Sequence, residues 1–164
     1  MLNIGAFTFN YDHVEDRILL IGNLNNKQPR IDFWLTRKLV LCLLEAAKGL
    51  VEKTSEDIAN LPEQQKSQMA QFHHEQAQHE LDVEPEDEVE AQSGGLLYRL
   101  DISNQADRYK LIFFDVQDEP LASSILSYQE LHQVLYLLHR GAKALDWGVD
   151  DELFGAPETH RVLQ

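Results

Sequence analysis

The sequence predicts an α+β fold assembled from two ββ(β)α units, and three observations carry that prediction. Shifting the chain by 91 residues lays it over itself without a gap: Asp16-Arg17 falls on Asp107-Arg108, Leu20-Ile21 on Leu111-Ile112, Pro29 on Pro120, Leu35 on Leu126 and Leu44 on Leu135. The hydrophobic period switches from two to 3.6 at the same place in each half. A cap residue marks each switch, Thr36 in the first half and Ser127 in the second. Self-similarity at a fixed offset is the mark of a repeated structural unit. One single domain over 1–164 is the default for this length. It holds a first repeat (6–53), an acidic, Gln/His-rich insertion (54–95), a second repeat (96–148) and an acidic tail (149–164).

The first repeat opens on Ala6 to Tyr11, where Phe7, Phe9 and Tyr11 alternate with polar residues as a half-buried strand does. Asp12 to Asp16 is turn chemistry, and Arg17 to Ile21 is a second, more continuously apolar strand. Gly22 to Pro29 is a loop rich in Asn, Gly and Pro, followed by a short strand, Arg30 to Leu35. From Thr36 a helix runs to about Lys53, with Val40, Leu43, Leu44, Ala47 and Leu50 on one face. Cys42, the only cysteine, reads as an inert core residue of that helix.

The second repeat restates the pattern with strands at Leu97–Ile102, Arg108–Phe114 and Leu121–Leu126. Ser127 to Glu130 spells a capping box, in which the hydroxyl accepts from the third amide and the carboxylate reaches back to the cap amide. The helix is expected to reach about Trp147, with Gly148 as its C-cap. Units of ~50 residues are small to stand alone. The expectation is therefore one antiparallel sheet, shared by both units and covered by two long helices.

Within the insertion, Leu61 to Leu81 predicts a marginal helix with Met69, Phe72 and Leu81 as its few apolar anchors. Asp82 to Gly95 reads as a flexible acidic linker. Its helix carries His73-His74-Glu75 and His79-Glu80, close to a zinc protease signature. That signature needs histidines four apart on one helical face, whereas His74 and His79 are five apart and so about 140° away from each other. The stretch is expected to be exposed and polar, with no metal site.

Net charge is −14, but unevenly placed. Residues 1–53 are close to neutral, at +1; residues 54–95 carry −10 and residues 96–164 carry −5. Such acidity repels nucleic acid at long range. The chain shows no P-loop, no G-x-G-x-x-G and no G-x-S-x-G, so no catalytic residue and no cofactor is predicted. It has no apolar run long enough to span a bilayer and no basic-plus-apolar leader, and it has a single cysteine. A cytoplasmic, non-enzymatic protein without a membrane partner is the expectation.

Two surface features suggest partners. Arg37 and Lys38 stand in the first turn of the first helix, where cations oppose the helix dipole. With Arg30 they form a basic patch in the first unit only, near Trp34 and joined by Arg17, the chemistry of single-stranded nucleic acid binding. The tail segment Asp150-Asp151-Glu152-Leu153-Phe154 resembles the acidic, hydrophobic ends with which bacterial single-strand-binding proteins recruit partners. Taken together, the strands-then-helix order over 6–53 and 96–147 and the basic strand surface resemble the Whirly-type single-stranded-DNA-binding transcriptional regulator fold. That resemblance bears on fold more than on function. The leading expectation is a small interaction or adaptor protein with a protein partner, and a homodimer is allowed by open sheet edges. The alternative is a single-stranded nucleic acid binder or transcriptional regulator using Arg17, Arg30, Trp34, Arg37 and Lys38.

Overall fold

Eight strands and three helices make up the described part of the chain, residues 1–81 and 94–155 of a computed structural model. The order is β1 (Leu2–Asn3), β2 (Phe7–Asp12), β3 (Arg17–Gly22), β4 (Ile31–Leu35), α1 (Arg37–Thr54), α2 (Glu63–His79), β5 (Gly95–Leu96), β6 (Arg99–Gln105), β7 (Arg108–Phe114), β8 (Pro120–Ser127) and α3 (Tyr128–Ala144). The class is α+β. The acidic stretch 82–93 and the tail end 156–164 lie outside the described residues. Among the described residues no helix is long and apolar enough to cross a membrane.

The strands form two sheets, not the single shared sheet the pattern suggested. Their orders are β2-β3-β4-β5 and β1-β8-β7-β6. Each is an antiparallel meander of three strands plus one short parallel edge strand. Those edge strands come from the opposite half of the chain. Leu2 and Asn3 pair with Ala122 and Ser123 of β8, while Gly95 and Leu96 pair with Phe33 and Trp34 of β4. Ile4 and Leu97, just after them, donate their amides to Ser123 O and Trp34 O and are buried. The sheets meet through aromatic rings: Phe33 of β4 stacks on Phe113 of β7 at 5.5 Å, and Phe7 of β2 joins Phe113 at 6.3 Å. One continuous core results, drawing on Leu20, Leu35, Val40 and Leu44 from one half and on Leu111, Leu126, Leu131 and Leu135 from the other.

The helices begin where the caps predict. Thr36 accepts the Leu39 amide at 3.2 Å, and both bonds of the Ser127/Glu130 capping box are present. Helix α3 stops at Ala144, with Leu145 as the C-cap residue, so Gly148 is not the cap. Its positive φ of 77° instead follows Trp147, whose indole N–H donates to Asp16 Oδ1 at 2.7 Å. Cys42 is exposed, correcting its reading as a core residue, because the buried stripe of α1 runs through Val40, Leu43, Leu44, Ala47 and Val51.

Candidate functional site

Strand β6 is an edge. Its residues Leu100 and Ile102 lie opposite Phe113 and Leu111, which are buried, so all four share the inner face of the sheet. On β6's other side the described residues supply no further strand. Helix α1 runs alongside, and between it and β6 lies an open groove of about 490 Å³. One wall is Leu39, Cys42, Leu43, Ala46, Gly49 and Leu50 of α1; the other is Tyr98, Arg99, Leu100 and Ile102; Glu45 and Lys53 complete the rim. Tyr98 is 58 % exposed.

The corresponding place in the other half, between α3 and β2, is filled. There the Tyr11 ring lies on Gly141 so closely that an added Cβ would come within 2.4 Å of Tyr11 Cε1. The Tyr11 hydroxyl donates to Leu137 O at 2.6 Å, and burial raises its pKa to about 12. Positions 91 residues later replace Phe7, Phe9 and Tyr11 by Tyr98, Leu100 and Ile102. Ile102 thus stands where the Tyr11 ring closes the other gap. On α1, a Cβ added at Gly49 would meet nothing within 4 Å.

The cations of the basic and aromatic patch are spread along β4, Arg17 and Arg37 near its Leu35 end and Arg30 before Ile31 at the other, and they are threaded with acid. Arg17 lies over the Trp34 ring at 5.1 Å and pairs with Glu15 at 2.8 Å. Arg30 forks onto Asp32 with two bonds of 2.8 Å, which raises the guanidinium pKa. Arg37 pairs with Asp16 at 2.8 Å and covers the Trp147 ring at 5.8 Å. Lys38 is exposed on α1. The bond from Trp147, followed by the Arg37 pair, holds the Asp16 carboxyl below its usual pKa.

The C-terminal segment is divided between solvent and the core. Asp151 and Glu152 are exposed, but Leu153 and Phe154 are buried, and the Phe154 amide donates to Gln71 Oε1 at 2.9 Å. Phe154 is held by the histidines of α2 and α3, with ring centroids 5.1 Å from His74 and 5.3 Å from His132. A ring of that size gains more from this pocket than from water.

The histidine stretch is likewise only partly exposed. His74 is 3 % exposed and its Nδ1 lies 3.0 Å from Nδ1 of His132, which is wholly buried. Burial first, then the charge of His139, lowers the His74 pKa to about 4; burial, then His74 and His73, lowers His132 to about 3. His73 Nδ1 shares a proton with the Tyr128 hydroxyl at 2.8 Å, and burial moves that phenol up to about 12. Among the described residues no three His, Cys, Asp or Glu side chains converge as a metal ion requires.

Sequence reasoning thus named the basic patch, the tail and the histidines, but missed the groove. Its signal was present in the aligned halves, as the change from Phe9 and Tyr11 to Leu100 and Ile102 and as the unexplained helix glycine Gly49. Compared with known protein families, curated proteins and solved structures, the chain gives no match.

Proposed function

We propose that the protein is a non-catalytic interaction module that takes an extended segment of a partner protein into the α1–β6 groove. The observation carrying this reading is an apolar groove of about 490 Å³ beside a strand edge that the described residues leave unpaired. A strand–helix groove of this kind recognises peptides by adding a strand: main-chain bonds supply affinity and alternate side chains supply choice. The chain's other half suggests which side chains fit, since the Tyr11 ring fills the α3–β2 counterpart. A net charge of −14 draws basic segments toward the surface. The exposed single cysteine suits a reducing, cytoplasmic setting.

Each arginine of the basic patch has a carboxylate neighbour, which makes that surface a weaker phosphate contact and ranks nucleic acid second. The Whirly-type likeness stays at the level of strand and helix order. We also infer that the halves descend from one duplicated unit. Corresponding strands and helices 91 residues apart, and the reciprocal loan of β1 and β5, support this.

Selection of displayed random peptides against the immobilised full chain tests the function. The expected result is enrichment of sequences with Phe, Tyr or Trp at alternate positions near Lys or Arg. Binding should be abolished by Gly49→Trp and by a bulky maleimide on Cys42. Absence of enrichment, or binders indifferent to both changes, overturns the reading. Saturable, salt-sensitive binding of a labelled single-stranded oligonucleotide would favour the alternative. A concentration-dependent dimer lost with Gly49→Trp would make a second copy the occupant instead.

A further inference from the structure

Helix α2 is held by little apolar surface. Of its residues only Ala70, His74 and Ala77 are buried, and Phe72 points outward, 53 % exposed. Peripheral hydrogen bonds help: Gln133 Nε2 donates to Ala77 O, and Gln129 Nε2 to Glu80. At the centre of the α2–α3 contact is the His74–His132 pair, enclosed by Phe154 and, edge-on to His132 at 4.6 Å, by Tyr128.

Two Nδ1 atoms 3.0 Å apart can share only one proton, so one ring donates and the other accepts. Neither Nε2 has a partner among the described residues. A first added proton therefore places a positive charge among aromatic rings with no bonded carboxylate. A second puts two N–H groups face to face. Charged and titratable groups stand on either side but are not bonded to the pair. His74 borders a cleft with Glu75, the Tyr136 phenol, His139, Arg140, Lys143 and Asp151. His132 borders one with Asp57, His73, His79, Glu80 and the Tyr128 phenol. Several of these are engaged elsewhere: His139 Nε2 meets Asp150 O at 2.7 Å, and Asp57 lies 3.8 Å from His73 Nε2.

We propose that the His74–His132 pair is an acid-released latch: its protonation frees α2 and the Leu153–Phe154 turn from α3 while the two sheets stay folded. The groove plays no part in it. The direction follows from linkage. Docked, the two imidazoles have pKa values of about 4 and about 3; detached, they return toward 6.5 and take up protons. Docking is therefore strongest above pH 6.5 and weakens as the pH falls toward 4. At pH ~4.5 the docking equilibrium loses up to about a hundredfold for each imidazole.

Backbone NMR spectra of the full chain between pH ~7.5 and ~4.5 test this. Amides of Ala70, Ala77 and Phe154 are expected to lose their dispersed shifts on acidification while those of Val40 and Leu111 keep theirs. A His74→Gln/His132→Gln variant, unable to take up the protons, should keep α2 docked at the lower pH. Persistence of α2 in the native chain at pH ~4.5, loss of α2 and β7 together, or release of α2 in the variant at the same acidic pH as in the native chain would overturn the proposal. Should the variant not fold, the comparison of α2 with β7 in the native chain decides alone.

Discussion

Gly49 and Gly141 have opposite surroundings, and this difference decides what each glycine does. Gly141 admits the Tyr11 ring, so even a methyl there meets Cε1 at 2.4 Å and Ile18 Cδ1 at 2.9 Å. Gly49 faces open space within α1. A helix glycine costs about 0.5–1 kcal/mol relative to alanine. Gly49→Ala is therefore expected to stabilise the chain by about that amount. Gly141→Ala should destabilise it by about 1–3 kcal/mol through overpacking. Urea unfolding of the two variants checks both signs. The two glycines looked alike in the sequence, because a one-dimensional pattern does not record what stands opposite a missing Cβ. Leu153 and Phe154 make the same point. An acidic, hydrophobic run reads as a free end, yet Phe154 is 1 % exposed because two uncharged imidazoles and the Gln71 side chain form its pocket.

At the level of elements, legibility followed locality. Strands β2, β3, β4, β7 and β8 and helices α1 and α3 were readable because alternation, a 3.6-residue stripe and a side-chain cap are properties of neighbouring residues. Ser127 and Glu130 predicted their own geometry, Ser127 Oγ accepting from the Glu130 amide at 3.1 Å and Glu130 Oε1 accepting from the Ser127 amide at 2.9 Å. Ser127→Ala is accordingly expected to lower stability by about 1 kcal/mol, within 0.5–2, as a shifted urea midpoint with unchanged slope. Strands β1 and β5 were not legible: two residues cannot show a period, and each exists only because a partner strand accepts it. Helix α2 was readable as a helix but not as a docked one. Its buried stripe of Ala70, His74 and Ala77 carries almost no apolar signal, and a neutral histidine pair does the packing.

Over the whole molecule, the exchange of β1 and β5 ties the two halves together. Ile4, from the N-terminal end, is buried at the β8 edge, where Ser124 Oγ donates to its carbonyl at 2.6 Å. Loss of its side chain should therefore be felt in both sheets. Ile4→Ala is expected to cost about 2–4 kcal/mol. It should lower the urea midpoints reported by Trp34 in one sheet and by Trp147 beyond α3 equally, each read after replacing the other tryptophan by Phe. Midpoints that separate would show the halves unfolding independently. The sequence alone determined the α+β class, the starts of the two long helices, most strand positions and the uneven charge, since each depends on residues close together in the chain. Only the tertiary structure decided that there are two sheets instead of one. It alone decided that Tyr11 closes one helix–strand gap while its counterpart stays open, and that His74 meets His132. Those outcomes depend on which surfaces, distant along the chain, can bury each other's side chains and satisfy each other's backbone groups, and no local pattern encodes that choice.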